Sequence, residues 1–252
     1  MAQYIFGTEA RNLDGVSSKV VSFPTGRLDE NNVPVESVVK KSNVPHNYKV
    51  GEKQEVYPFK KVEDLVAMKN YFQSKGHDRD LLMFVLGINI GLRASDLLTL
   101  RWSNLLDSDG TVADGITVQM EGITVKEDKT NKFRTFYLNE SCKKAIQSYL
   151  ENHKVNLSDF VFASQKGGAV EVRSANKILK TAAKACGIKF NVGTHSMRKT
   201  FGYHQLKAHA DDAMFLCQLQ QMFNHSSPQI TLRYCGLEGE QISTYYRDVN
   251  LL

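Results

Sequence analysis

The pattern of apolar and polar positions changes near residue 55. Residues 1–55 show no sustained helical period, and they include a turn-forming cluster at residues 29–32. Four of the five prolines lie in the first quarter of the chain: Pro24, Pro34, Pro45 and Pro58. We therefore predict that residues 1–55 form an arm or linker that is partly ordered, and that a folded domain occupies residues 56–252.

From Tyr57 onward the apolar positions follow a helical period. One apolar face predicts a first helix that ends at Gly76: Val62, Leu65, Val66, Met68 and Phe72. Residues 81–90 are apolar almost all round, which is typical of a helix buried in a large domain. Ser95 is a candidate N-cap for a short helix over residues 96–101. The period predicts further helices at about 140–152, 173–186, 195–209, 211–223 and 238–248.

Two stretches of the chain instead alternate apolar and polar residues. They lie at residues 116–125 and 133–138, with a polar Thr-Asn pair between them. We predict a β-hairpin with a basic tip at residues 129–132. The order of helices, one small sheet and more helices predicts an α+β fold, mostly α, with a small antiparallel β-sheet.

Composition excludes several classes of protein. Apolar residues make up 42% of the chain and charged residues 23%, which is ordinary for a globular protein and excludes wholesale disorder. No run approaches 18 uninterrupted apolar residues, and the N-terminal sequence MAQYIFGTEARNLDG lacks the regions of a signal peptide. The four cysteines are far apart, without a CxxC pair. We therefore expect reduced thiols, a cytoplasmic location and no membrane partner.

The charge is distributed unevenly along the chain. Residues 1–55 carry seven basic and seven acidic side chains, so the whole net charge of +5 lies in residues 56–252. A positive folded domain is compatible with nucleic-acid binding, although this charge alone does not require it.

Arg93 follows directly after the most apolar predicted helix. A guanidinium at this position is expected to be half-buried, and a buried guanidinium needs an anionic partner. A carboxylate of the same domain, from Asp96 or Asp64, would give a purely structural role. An external anion would give a functional one.

His195 and Arg198 are three residues apart, so a helix would place them on one face. Thr194 is a candidate N-cap, which would put both side chains near a helix N-terminus that favours anions. The alternative is an ordinary amphipathic surface helix. The imidazole, the guanidinium and the helix end together favour a phosphate or carboxylate site.

The segment from Phe223 to Tyr234 contains His225, and a tyrosine follows that histidine after nine residues. This spacing also occurs by chance in a chain that holds 7 His and 10 Tyr. It therefore supports a functional role for His225 and Tyr234 without establishing one.

Four segments together resemble the tyrosine recombinase (phage integrase) family, in order and in apolar context. They are GLRASDLLTLRW, KTNKFRTFYL, THSMRKTFGY and FNHSSPQITLRYCG, and the resemblance covers about residues 60–247. It implies the family's catalytic domain and a complete catalytic set: Arg93, Lys129, His195, Arg198, His225 and Tyr234. Family members usually carry a helical core-binding domain upstream, whereas 55 proline-rich residues stand in that place here.

The resemblance implies a site-specific DNA recombinase or integrase that works through a 3′-phosphotyrosyl intermediate, without metal, ATP or another cofactor. Tyr234 would be the nucleophile, His195 its base and Lys129 the acid for the leaving 5′ oxygen. The two arginines and His225 would bind the phosphate oxygens. No Asp/Glu cluster suits a two-metal site.

Several basic side chains are predicted contacts to the DNA backbone, although each is also compatible with an ordinary solvated surface. They are Lys126, Lys132, Arg101, Lys199, Lys207 and Arg233. The expected partners are double-stranded DNA, three further copies in a homotetramer on DNA, and an accessory DNA-bending protein. Off DNA we expect monomers or weak association. Apolar residues on the predicted helix 238–248 would dock on a neighbouring protomer, as the family resemblance implies.

Three other functions remain open from the sequence. One is a DNA-binding repressor or accessory factor that has this fold and does not recombine. Another is a relaxing topoisomerase of related chemistry. A generic scaffold without a nucleic-acid role would leave the arginines and histidines of the catalytic set without a shared ligand.

Overall fold

The computed structural model describes residues 55–120 and 132–237. The predicted arm up to residue 54, the hairpin tip with Lys126 and Lys129, and the predicted helix 238–248 lie outside these residues. The described part is mostly helical with one two-stranded antiparallel sheet, so the predicted fold class is confirmed. No helix within it is long and apolar enough to cross a membrane.

Four helices precede the sheet and five follow it in the described residues. The first four are α1 (Val62–Ser74), α2 (Asp78–Ile90), α3 (Ala94–Leu98) and α4 (Trp102–Leu105). The strands are β1 (Gly115–Met120) and β2 (Lys132–Tyr137). The later helices are α5 (Glu140–Asn152), α6 (Val172–Ala185), α7 (Thr194–Ala208), α8 (Phe215–Phe223) and α9 (Pro228–Cys235).

Helix α2 lies at the centre of the main core, as its apolar sequence predicts. It packs against α1, α5 and α7, and most of its residues are buried. The two strands pair in a register that runs from Gly115 opposite Tyr137 to Met120 opposite Lys132. Within that pairing Ile116 and Phe136 face each other and are both buried, which attaches the hairpin to the core.

A second, smaller core joins α7, α8 and α9. Its buried members are Phe201, Phe215, Leu219, Phe223, Cys235 and Leu237. A Cβ atom on Gly202 of α7 would lie 2.5 Å from Cys235 Sγ and 2.8 Å from Phe223 Cε2. The glycine therefore allows α7 to approach α8 and α9 closely, and this packing brings the ends of the three helices together.

Three predicted helix starts are wrong. Ser95 does not cap a helix over residues 96–101, because it lies inside α3, whose N-cap is Arg93. Thr194 is the first residue of α7 rather than its cap. The Asn176 side chain of α6 accepts the Thr194 N–H at 2.8 Å, so a neighbouring helix supplies the capping group. Helix α8 begins at Phe215 and not at residue 211, after a turn in which Phe215 N–H bonds to Asp212 O.

Helix α9, which carries Tyr234, was missing from the predicted helices. The sequence nevertheless contains a signal for the start of this helix. The Ser227 hydroxyl accepts the Ile230 N–H as an N-cap, and Pro228 occupies the first helical position. It ends at Gly236, which is left-handed with φ 73°. Its eight residues are too few to show a clear helical period.

Candidate active site

The Arg198 side chain lies at the centre of the site and is only 4% exposed. One terminal nitrogen donates to Gly91 O, and Nη2 donates to Phe223 O at 3.0 Å. Both carbonyls belong to helix C-terminal ends, at α2 and α8, where positive charge is favourable. The guanidinium also stacks on the Phe223 ring at 4.2 Å. These contacts fix its plane before any ligand binds.

Gly91 gives Arg198 one of its two carbonyl partners. It ends α2 in the left-handed conformation, with φ 71°, which favours glycine. A Cβ atom there would also collide with the Phe201 ring. The sequence Gly91-Leu92-Arg93 thus turns the chain sharply and brings Arg93 back toward the same site.

Tyr234 on α9 is half-buried beside Arg198. Its hydroxyl oxygen lies 3.3 Å from Nδ1 of His195, at the long end of hydrogen-bond distances. Burial raises the pKa of Tyr234 to about 12, although the charge and hydrogen bond of Arg198 and the charge of Arg93 act in the opposite direction. The phenol is therefore neutral at physiological pH and needs a base before it attacks.

His195 lies in the first turn of α7 with its ring exposed on one side. Partial burial lowers its pKa, and the charges of Arg198 and Lys199 lower it further. The imidazole is consequently neutral near pH 7, the state in which a ring nitrogen is able to accept the proton of the Tyr234 hydroxyl.

His225 lies between α8 and α9, after the left-handed residue Asn224 with φ 51°. Its Nδ1 is 3.0 Å from the hydroxyl of Thr231, a fully buried residue. The His225 ring packs edge to face on the Tyr234 ring, with centroids 5.0 Å apart. Burial lowers the pKa of His225, as do the charges of Arg198 and Arg93. Because Thr231 occupies Nδ1, Nε2 is the ring nitrogen available to a ligand.

Arg93 is half-buried, and its charge lowers the pKa values of both Tyr234 and His225. Within residues 55–120 and 132–237, neither Asp64 nor Asp96 forms an ion pair with it. Asp96 instead accepts a hydrogen bond from Ser95 on one oxygen, and its other oxygen is buried without a partner. The purely structural pairing considered from the sequence is therefore wrong for these two carboxylates.

The described members of the predicted catalytic set thus converge on one hydroxyl. Two guanidinium groups and two neutral imidazoles surround Tyr234, an arrangement suited to binding a tetrahedral anion beside a nucleophile. Lys129, the sixth predicted member, lies outside the described residues. Across the described ranges no three His, Cys, Asp or Glu side chains are placed to hold a metal ion.

The predicted DNA contacts occupy different environments. Arg101, Lys207 and Arg233 are exposed. The Arg101 guanidinium lies 4.0 Å over the Phe160 ring and donates to Ser158 O. Lys132 begins β2, whereas Lys126 lies outside the described residues. Lys199 is only 7% exposed, so the solvated surface position considered as the alternative for it is wrong, and its burial does not favour the predicted contact to DNA.

A basic groove along α6 was not identified from the sequence. Its exposed basic residues lie on one face of the helix. The groove is lined by Arg173, Asn176, Lys177, Lys180, Thr181 and Lys184, and none of these side chains is acidic. Asn176 connects the groove to the site through its hydrogen bond to the first residue of α7. The spacing of the four basic residues is visible in the sequence and was available as a signal.

Comparison with known proteins finds similar sequences and structures. The model of the Phage integrase family matches residues 55–240. The chain is 35% identical over 193 residues to the probable integrase/recombinase YoeC of Bacillus subtilis (strain 168), which covers 76% of this chain and 96% of YoeC. It is 26% identical over 209 residues to the tyrosine recombinase XerC of Leptospira interrogans, covering 82% of this chain and 60% of XerC.

A similar solved structure is the XerH site-specific recombinase, bound to its palindromic difH substrate in a post-cleavage complex. The TM-score is 0.56 at 18% sequence identity, and the match covers 87% of this chain and 58% of the XerH chain. The chain described here thus spans about three-fifths of the length of XerC and XerH, and nearly all of YoeC.

Proposed function

Since the chain belongs to the phage integrase family, we propose that it is a site-specific DNA recombinase that cuts and rejoins DNA through a 3′-phosphotyrosyl intermediate, without metal or ATP. The observation that carries the proposal is the position of the Tyr234 hydroxyl, 3.3 Å from His195 Nδ1 and beside Arg198. A phenol between a neutral base and fixed cations is prepared to attack a phosphodiester.

In the proposed reaction, the Tyr234 oxygen attacks phosphorus as its proton passes to His195. Arg93 and Arg198 neutralise the non-bridging oxygens of the pentacoordinate phosphate, and His225 donates a hydrogen bond from Nε2. The bond from phosphorus to the 5′ oxygen breaks, and Lys129 protonates the leaving oxygen. The tyrosyl ester keeps the phosphate activated. The 5′ hydroxyl of another strand therefore attacks the phosphorus, forms a new phosphodiester bond and releases Tyr234.

Double-stranded DNA is the proposed partner, and the structurally similar XerH recombinase is bound to its palindromic difH substrate. The groove on α6 adds four exposed cations to the predicted contacts at Lys126, Lys132, Arg101, Lys207 and Arg233. Strand exchange would take place within a homotetramer on DNA, with an accessory bending protein and with docking by residues 238–252. The predicted cytoplasmic location agrees with such a partner.

The test is to trap the covalent intermediate. A pool of random-sequence duplexes with single nicks is incubated with the wild-type chain, and the adducts are isolated under denaturing conditions. Protease digestion and mass spectrometry are expected to locate the nucleotide on Tyr234. The adduct should be absent from Tyr234→Phe, which retains the ring and binds the same duplexes nearly as well.

Two results would contradict the proposal. An adduct that persists in Tyr234→Phe would assign the nucleophile to another residue. Binding of duplexes by the wild-type chain with no adduct would favour the repressor or accessory factor of the same fold.

A further inference from the structure

Lys199 follows Arg198 on α7 and is buried on the side of the nucleophile. Its Nζ lies 3.2 Å from Oε1 of Glu55 and 5.4 Å from the centroid of the Tyr234 ring. Lys207, on the same helix, is also near a tyrosine ring but is exposed to solvent. A buried ammonium needs a partner, and here it has one carboxylate and one aromatic face.

Glu55 is held in place by its backbone. The side-chain amide of Asn191 donates to Glu55 O at 3.1 Å, and the Tyr57 N–H donates to Asn191 O at 3.0 Å. Two residues later Phe59 N–H donates to the Thr200 hydroxyl of α7 at 2.8 Å. The backbone at Glu55 is therefore anchored beside α7, and its carboxylate pairs with Lys199 although 60% of the side chain is exposed to solvent.

The ammonium of Lys199 faces titratable groups on two helices. On α7 its charge, together with that of Arg198, lowers the pKa of His195. On α9 it opposes the effect of burial on Cys235, whose pKa is raised to about 12. Arg198 and Arg93 are the cations that lower the pKa of Tyr234. Lys199 is thus a charged group that lies against the Tyr234 ring and also lowers the pKa of His195.

We propose that Lys199 is a positioning residue for the attack by Tyr234, and that Glu55 sets how strongly its charge acts. The inference rests on the proposed function, because it assigns His195 and Tyr234 to the cleavage step. The ammonium holds the face of the Tyr234 ring, which keeps its hydroxyl against His195. The same positive charge disfavours a proton on His195 and so preserves the base.

The first test measures His195 directly, by NMR titration of its ring in the full chain without DNA. Lys199→Met removes the cation and should raise the pKa of His195. Glu55→Gln leaves the cation without its counterion and should lower that pKa. Lys199→Arg should leave it close to wild type, as should Lys69→Met, a matched change at an exposed position on α1.

Opposite shifts from Lys199→Met and Glu55→Gln are the expected result, because a general loss of packing would not produce them. The Glu55 variant alters only a largely exposed carboxylate, so it remains informative if Lys199→Met folds poorly. Shifts in the same direction, or no shift in either variant, would overturn the inference.

The second test measures adduct formation on a nicked duplex selected with the wild-type chain. Lys199→Met should lower the rate by about tenfold, because the Tyr234 ring loses the cation that holds its face, with unchanged affinity for the duplex. As the pH is lowered, the rate of Lys199→Met should begin to fall at a higher pH than the wild-type rate does. Lys199→Arg should restore most of the lost rate. Equal rates in Lys199→Met and wild type would refute a positioning role. Absence of any wild-type adduct would instead contradict the proposed function, while the titration still decides whether Lys199 controls His195.

Discussion

At the scale of single residues, Arg198 and Arg93 differ in what holds them. Arg198 is buried and donates to the carbonyls of Gly91 and Phe223, whereas Arg93 is half-buried with no ion pair to Asp64 or Asp96. The first arginine therefore has a structural role besides any contact to phosphate. We predict that the second is available to bind a phosphate.

The same substitution at the two arginines should separate these roles. Arg198→Lys keeps the charge but loses the planar fork, so a carbonyl at one helix end loses its donor. We expect a loss of about 1–3 kcal/mol in the free energy of unfolding, the usual cost of an unsatisfied buried group. Arg93→Lys should leave stability close to wild type.

Both lysine variants should slow adduct formation by about a hundredfold or more, the effect of removing one oxyanion donor. Urea denaturation and the adduct rate on a selected nicked duplex provide the two measurements. If Arg93→Lys destabilises the chain as much as Arg198→Lys, then Arg93 has a structural partner of its own.

The sequence identifies residues of the site better than it identifies their supports. Arg93, His195, Arg198, His225 and Tyr234 stand in recognisable segments, and the fold brings all five together. Their supports are a backbone carbonyl at Phe223, the hydroxyl of Thr231 and the ion pair between Lys199 and Glu55. Glu55 is 144 residues from Lys199, every residue has a backbone carbonyl, and Thr231, six residues after His225, follows no spacing that marks it as a partner.

At the scale of elements, the short helix α9 depends on its neighbours. Eight residues do not form a stable helix alone in water, so packing against α7 and α8 must hold Tyr234 in place. Gly202 is the point of closest approach, where a Cβ atom would meet Cys235 and Phe223. The position of Tyr234, the proposed nucleophile, thus depends on Gly202 having no side chain.

Gly202→Ala should therefore displace α9. We expect a loss of about 1–3 kcal/mol in the free energy of unfolding, as for other overpacked cores, together with a lower adduct rate. Gly168→Ala is the matched control, because a Cβ atom there has nothing within 4 Å. Equal urea midpoints for the two variants would show that the contact between α7 and α9 accommodates the added methyl group.

The accuracy of the predicted elements depends on whether the signal for them is local in the sequence. Helix α2 and the α5 helix have strong apolar patterns, and their bounds agree with the prediction to within a few residues. The start of α7 was misassigned because its capping group comes from Asn176 on another helix. Local signals determine helices that are long and periodic, whereas a tertiary contact supplies the cap where α7 begins.

At the scale of the whole molecule, positive charge is concentrated where DNA is proposed to bind. The net charge of +5 belongs to residues 56–252, and four exposed cations share the groove on α6. Each phosphate contact releases condensed counterions, so the logarithm of the binding constant falls with the logarithm of salt concentration. The number of groove residues that contact phosphates is therefore measurable without knowing the target sequence.

Lys180→Gln should weaken binding to a random-sequence duplex and make the salt dependence shallower by about 0.9 in log–log slope, the value for one phosphate contact. The double variant Lys177→Gln/Lys180→Gln should change the slope by about twice as much. Lys69→Gln makes the same change in net charge at an exposed residue of α1 that does not line the groove, and it should leave the slope unchanged. A slope that falls equally in the Lys69 and Lys180 variants would mean that only the overall charge matters. An unchanged slope in all three would place the DNA on another face, one that includes Arg101, Lys207 or Arg233.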